Sequence, residues 1–171
     1  MALPRKLKNL NLFNDANSYL GVVKTVTLPP LGRKMEAYRG GGMNGPVKAD
    51  LGMSDDGIQF QWKTGGLDLI ALRQFGAVNA AGVALRFAGA FQKDDTGDVC
   101  AVEVVMRGRH ETIEMGDAQP GEDTEHSITT TCSYYKLIVD NEEIIEIDLL
   151  NFIEKVNGVD MIEKQRAAIG L

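Results

Sequence analysis

Asp95-Thr96-Gly97 has the residue order of an aspartic protease triplet, whose carboxylate must share a proton with a second carboxylate in a buried dyad. Such a site needs an apolar strand running into the aspartate. Here Lys93 and Asp94 precede it and Asp98 follows, so the pattern predicts a solvated hairpin tip. Asp94, Asp95 and Asp98 also have the character of calcium ligands. A dedicated loop needs further oxygens and a bidentate Glu in register, and Val99-Cys100 stand there instead, which leaves at best an adventitious site. His110, His126 and Cys132 are the residue types of a Cys–His nucleophile. His126 and Cys132 share one strand face but lie roughly 20 Å apart along it at ~3.3 Å per residue, and no spacing marks His110 as partner to either. The expectation is structural histidines, no catalytic residues, no cofactor and no resident metal.

The most informative stretch is Arg39-Gly40-Gly41-Gly42-Met43-Asn44-Gly45-Pro46. Gly40 and Gly45 have the separation of a phosphate-binding P-loop, but Pro46-Val47 occupy the place of the required Lys-Ser/Thr. No helix starts there to add its dipole, so nucleotide binding is excluded. Four glycines in six positions can adopt φ > 0 repeatedly and cost entropy to order, so the loop is either tolerated slack or a segment that becomes ordered on contact.

Bulk properties narrow the class. The chain of 171 residues is predicted to form one domain large enough for a real core. It carries 18 basic against 24 acidic residues, for a net charge of −6. That balance argues against a conventional nucleic-acid surface and suits one that DNA passes without sticking. Cys100 and Cys132 sit in strand-like apolar stretches and read as free buried thiols. Arg5, Lys6 and Lys8 precede no continuous apolar run, so no secretory signal is expected, and no stretch approaches the ~18 apolar residues of a membrane span.

The elements that must position these residues are mostly strands, because period-2 alternation dominates. Ile58, Phe60 and Trp62 define one buried face; Val83, Leu85, Phe87 and Phe91 a second; Cys100, Val102, Val104 and Met106 a third. A long strand is predicted over His126–Val139, joined through an Asp140-Asn141 turn to a strand over Glu142–Asp148. Strict alternation there puts Glu142, Ile144, Glu146 and Asp148 on the side opposite Glu143, Ile145 and Ile147. One helix is predicted across Leu67–Phe75, capped by Thr64. The spacing of Leu149, Phe152, Ile153 and Val156 predicts a second, ended by Asn157-Gly158. A short third begins at Asp160 with Glu163 in a capping box and closes at Gly170. The architecture is an antiparallel β-sandwich or partly closed barrel with one flanking α-helix and helical or extended termini.

Several stretches closely resemble the major tail tube proteins of contractile-tailed bacteriophages. They are Met1–Asn9, Tyr38–Val47, Leu85–Ala90, Val105–His110, Pro120–His126 and Val156–Leu171, and they run from end to end. The resemblance implies a tail-tube fold whose sheets join across subunits into a continuous lumen barrel. It also implies six-membered rings stacked into a hollow tube inside a contractile sheath, penetrating the host envelope and conducting DNA. Sheath, baseplate and tail terminator proteins are the implied partners, the virion tail the implied location, and host cytoplasm the place of assembly. Related folds are the haemolysin-coregulated tube protein of type VI secretion and the tubes of headless bacteriocins.

On this reading residues 39–46 form a contact loop between subunits or rings. An N-terminal arm of about residues 1–20 and a C-terminal helical segment of about 149–171 make further contacts, within which Leu3–Phe13 and Met161–Leu171 are the contact segments. Glu142, Glu146 and Asp148 are candidates for an acidic lumen wall that repels phosphates. The alternatives are the tube protein of a headless contractile bacteriocin or of a secretion system, or a monomeric β-barrel ligand-binding module with the glycine loop as its mouth. An acidic or thiol hydrolase ranks last.

Overall fold

The computed structural model describes residues 1–171. In chain order the strands are β1 (Lys6–Asn14), β2 (Asn17–Ser18), β3 (Val23–Thr27), β4 (Arg33–Tyr38), β5 (Val47–Met53) and β6 (Ile58–Thr64). Helix α1 (Leu69–Gln74) precedes β7 (Val83–Gln92), β8 (Val99–Glu114), β9 (His126–Val139) and β10 (Glu142–Asp148). The chain ends with β11 (Ile153–Val156), β12 (Val159–Asp160) and α2 (Glu163–Ala168). Ten strands form one antiparallel sheet in the order β12-β11-β10-β9-β8-β7-β1-β2, with β6 and then β3 branching from β9. β4 and β5 form a separate hairpin. The sheet is mainly antiparallel and is not a closed barrel.

β9 generates this layout by serving two partners on one edge. Its first half pairs with β6, from Thr64 opposite His126 to Ile58 opposite Cys132. Its second half pairs with β10, from Asp148 opposite Tyr134 to Glu142 opposite Val139. β8 runs along the other edge for the whole length. The sheet therefore folds over, and the alternating faces predicted for β6, β7 and β8 meet in one core. Phe60, Trp62, Leu85, Phe87, Val104 and Met106 are fully buried there, joined by Leu12 from β1 and Ile147 from β10. Phe91 lies on the same face of β7 but is only half-buried near the strand end.

The two long strands approach closely where Ser133 bulges out of β9 between the Arg107–Tyr134 and Gly108–Cys132 pairs. A Cβ on Gly108 would stand 2.1 Å from the Thr131 carbonyl oxygen and 2.7 Å from Cys132 Cα, so no side chain fits. The Asp140-Asn141 turn has φ of 49° and 65°, the left-handed pair of a type I′ hairpin.

Bulges also mark the free edges. Register shifts sit at three lysines: Lys8 and Lys24 are the extra residues in β1 and β3, while Lys34 stands opposite the extra residue that Leu51-Gly52 puts into β5. Each of these reaches a carboxylate, Asp94 at 2.8 Å, Asp123 at 2.6 Å and Asp55 at 2.8 Å. Along β1 the side-chain amide oxygens of Asn9 and Asn11 accept from the backbone N–H groups of Leu10 (2.9 Å) and Leu12 (2.8 Å). Charged bulges and occupied donors are how open sheet edges avoid unplanned pairing.

Several local expectations are corrected. The segment Leu149–Val156 is not a helix: Ile153–Val156 is β11, paired with β10, and Phe152 (φ 53°) turns the chain into it. A short apolar run at i, i+3, i+4 does not by itself distinguish helix from buried strand. α1 is capped by Asp68, whose Oδ1 accepts from Ile70 N–H at 3.1 Å, while Thr64 ends β6 and donates to the Gly66 carbonyl. Asp160 belongs to β12 and α2 begins at Glu163; Gly170 does close it, at φ 86°. Residues 6–14 of the expected N-terminal arm are built into the sheet as β1. No helix is long and apolar enough to cross a membrane.

Replacing Gly108 by Ala is expected to destabilise the fold by on the order of 3 kcal/mol, through overpacking against backbone. Gly41→Ala, whose Cβ meets open space, is expected to change stability by less than about 1 kcal/mol. Urea denaturation of the two variants checks the contrast.

Candidate functional site

The glycine loop is the tip of the β4–β5 hairpin. From Arg33 to Leu51 only Gly40 and Met43 are half-buried, and every other residue is exposed. The apolar side chains Met35, Tyr38, Val47 and Leu51 are between 46% and 66% exposed, in a stretch with no core of its own. Contacts within the tip shape its turn. Met43 N–H donates to the Gly40 carbonyl at 3.3 Å, with Gly42 at φ 81°, the third position of a turn that favours glycine. Gly40 N–H meets Met43 Sδ at 3.1 Å, and Arg39 Nε donates to the Met43 carbonyl at 3.2 Å. Only Gly42 of the four has positive φ, and a Cβ on Gly41, Gly42 or Gly45 would meet nothing within 4 Å. The chain's own packing therefore does not require Gly41 or Gly45. The remaining tip residues, Asn44 and Pro46, are exposed beside them.

An ion cluster holds the base of the hairpin. Arg33 lies 3.3 Å from Asp50 across the hairpin and makes a close contact to Glu154 on β11. Glu154 is 8% exposed and has that guanidinium as its ion-pair partner. Gly52, at φ 106°, turns the end of β5 beside this cluster.

The sheet face outside the core is charged but balanced. One cross-strand row reads Phe13, Arg86, Val105, Lys136, Glu146, Lys155 and Asp160. Arg86 stacks 4.1 Å over Phe13 and reaches Glu103 at 3.5 Å, and Arg107 stacks 4.2 Å over Tyr134. Lys136 bridges Glu143 (3.3 Å) and Glu146 (3.8 Å), which raises its pKa and keeps it charged. Glu146 also accepts from the Tyr134 hydroxyl at 3.3 Å. The expected grouping of Glu142 with Glu146 and Asp148 does not hold. Ile144 bulges between the Glu143–Ile138 and Ile145–Leu137 pairs, and one extra residue inverts the alternation. Glu143 takes the place beside Glu146 and Asp148, while Glu142 sits opposite Val139 next to the turn. The carboxylates of this face are interleaved with Arg86, Arg107, Lys136 and Lys155, so it is not a bare acidic wall.

The residues that resembled catalytic groups are dispersed into structural roles. Asp95 accepts from Leu3 N–H (3.1 Å), which lowers its pKa, and Asp94 pairs with Lys8. Cys100 and Cys132 are free and buried, and burial pushes the Cys132 thiol up to about 12, far from a thiolate. His126 is buried at the start of β9 opposite Thr64.

His110 belongs to a buried polar chain that sequence reasoning missed. Trp62 Nε1–H donates to Thr130 Oγ1 (3.2 Å), and that hydroxyl lies 2.9 Å from His110 Nδ1. Nε2 lies 3.0 Å from Gln74 Oε1, which fixes the neutral Nε2–H tautomer as the one that satisfies every partner. Gln74 and Asn14 exchange reciprocal amide bonds at 2.7 Å, Asn14 donates to Tyr19 Oη, and Tyr19 donates to Asp68 at 2.7 Å. This chain ties α1 to β1, β8 and β9.

A folded-over antiparallel sheet with open edges and a projecting hairpin places the chain among the β-sandwich proteins. The sequence profile of the family described as Phage tail tube protein FII matches residues 4–170. The tail tube protein of Escherichia phage P2 is 51% identical over the full length of both chains. The major tail tube protein of Serratia phage KSP20 is 38% identical, over 100% of this chain and 99% of that protein. A chain in the six-fold symmetrised cryo-EM structure of the anti-feeding prophage baseplate matches with a TM-score of 0.52 at 9% identity. The match covers 75% of this chain and 90% of that one, a likeness of fold alone. The chain belongs to the phage tail tube protein family and is a structural subunit of the virion tail.

Two outcomes follow from the site. Burial lowers the His110 pKa despite the nearby Asp68 and Asp15 charges, so the unfolded chain binds the proton more readily. The stability this contributes is complete above about pH 6.5 and is lost as pH falls toward the depressed folded value. Wild-type stability is expected to fall between pH 7 and 5 by at most about 1.4 kcal/mol per unit from this group, and His110→Gln to show a shallower slope in urea titrations. Glu154→Gln is expected to raise amide exchange across Arg33–Met53 while leaving β8 and β9 protected, read by hydrogen-exchange mass spectrometry.

Proposed function

We propose that this protein assembles into six-membered rings that stack as a hollow tube inside a contractile sheath. The tube penetrates the host envelope and conducts DNA without binding it specifically. Its work is mechanical and not enzymatic, with sheath, baseplate and terminator proteins as neighbours and assembly in the host cytoplasm. The observation that carries this reading is the hairpin Arg33–Met53. It exposes Tyr38 and Val47 on one face and Met35 on the other, around a tip whose glycines face open space, in a hairpin with no core of its own to cover them. Ring closure and stacking are the two ways a head-to-tail contact propagates.

The charge-laced face of β7–β10 is the proposed lumen side. Its Arg86–Glu103 and Lys136–Glu143–Glu146 pairs compensate the central cations, with Asp148 in the adjoining position of β10. A monomeric module with the glycine loop as its mouth gains no support, because residues 39–46 line neither of the two cavities beside β1 and β5.

Sedimentation and electron microscopy of the purified protein are expected to show rings or tubes; a strictly monomeric species at every concentration and salt sinks the reading. Deleting Gly40–Gly42 is expected to abolish tubes while leaving the circular dichroism of the monomer unchanged. Normal-length tubes from the deletion would refute the role given to the tip.

A further inference from the structure

The hairpin has two chemically different ends. Between Ala37 and Ala49 the tip contains two cations, Arg39 and Lys48, and no carboxylate. No carboxylate of the same chain pairs with either cation. Tyr38 and Val47 flank them, 66% and 62% exposed, and Met43 covers the turn. The base is the complement. A cavity of about 620 Å³ opens between the end of β5 and the turn that joins β10 to β11. Ile147, Phe152, Ile153 and Ile162 give it apolar walls, with Leu51 and Leu149 exposed at its margin. Its ionic residues are Asp50, Asp148 and Glu154 against a single Arg33, which is already held by two of the three carboxylates.

We propose that this base cavity receives the hairpin tip of a second copy of the chain, with Met43 and the tyrosine–valine flank against the apolar walls and Arg39 and Lys48 toward the carboxylates. Three observations converge on that occupant. The charges are complementary, with unpaired cations on the tip and an excess of carboxylates around the cavity. The tip glycines Gly41, Gly42 and Gly45 carry no Cβ into open space, so the tip stays slender where another wall must close around it. Within one chain the tip and the base are separated by the six residues of β4, roughly 20 Å at ~3.3 Å per residue, so a tip does not fill its own cavity. Because donor and acceptor are different surfaces, the contact is head-to-tail and repeats from copy to copy. This deepens the tube reading, on which it rests, by naming the site that receives the loop.

The test is a disulfide between the two ends. Chains carrying both Met43→Cys and Leu149→Cys, with native Cys100 and Cys132 left buried, are oxidised under assembly conditions and run on non-reducing gels. A ladder from dimer upward is expected, with each single variant remaining monomeric on the gel. Normal tubes by electron microscopy without a ladder overturn the docking and leave the tube reading intact; a protein that never assembles overturns both. Should the double variant fail to fold, the two single-cysteine chains are mixed, and a dimer seen only in the mixture is the expected product. No dimer in that mixture overturns the docking, and so does a homodimer of Met43→Cys alone, which would mean tip-to-tip contact.

Discussion

The fold depends on one strand doing two jobs. β9 is long enough to pair with β6 along its first half and β10 along its second, while β8 spans the whole of its other edge. A sheet that forks in this way cannot stay flat. The two branches diverge from one backbone, and the apolar faces of β6, β7, β8 and β10 close on each other around Trp62 and Phe87. The Ser133 bulge lies where the partnership changes, and Gly108 permits the backbone crowding there. Everything that reaches outward, including α1, the β4–β5 hairpin and the terminal strands, hangs from this junction.

Two polar systems then fix the parts that packing alone leaves loose. The chain from Trp62 through Thr130, His110 and Gln74 to Asp68 positions a six-residue helix that is too short to hold itself. The Arg33, Asp50 and Glu154 cluster performs the same service for a hairpin with no core. Each joins elements far apart in sequence, the first through buried groups and the second by bringing the exposed Arg33 to the buried Glu154. Their loss is therefore expected to loosen an appendage before it unfolds the sandwich.

That distance in sequence explains what was legible and what was not. Alternation in Ile58–Trp62, Val83–Phe87 and Val104–Met106 gave the core faces directly, because each side chain on a strand must choose between core and solvent. The Asp140-Asn141 turn was equally readable from its residue types. The bulge at Ile144 was not, since a single inserted residue leaves no mark on composition yet moves Glu143 into the row with Glu146. The segment Leu149–Val156 misled for a related reason: four apolar residues at helical spacing also suit a strand preceded by a left-handed turn at Phe152. The glycine tip stands out in composition, whereas the contacts that Met43 makes to Gly40 to close its turn carry no sequence signature. The link between Arg33 and Glu154 spans 121 residues and had no local signal.

The guarded edges bear on strand pairing. A strand adding along β1 must displace the amides of Asn9 and Asn11 from Leu10 and Leu12 and accommodate the kink at Lys8. One or two new bonds do not repay that disruption, whereas a partner arriving in register with a long row of donors and acceptors does. The bulges at Lys8 and Lys24 thus make the exposed edges of β1 and β3 poor templates for chance strand pairing.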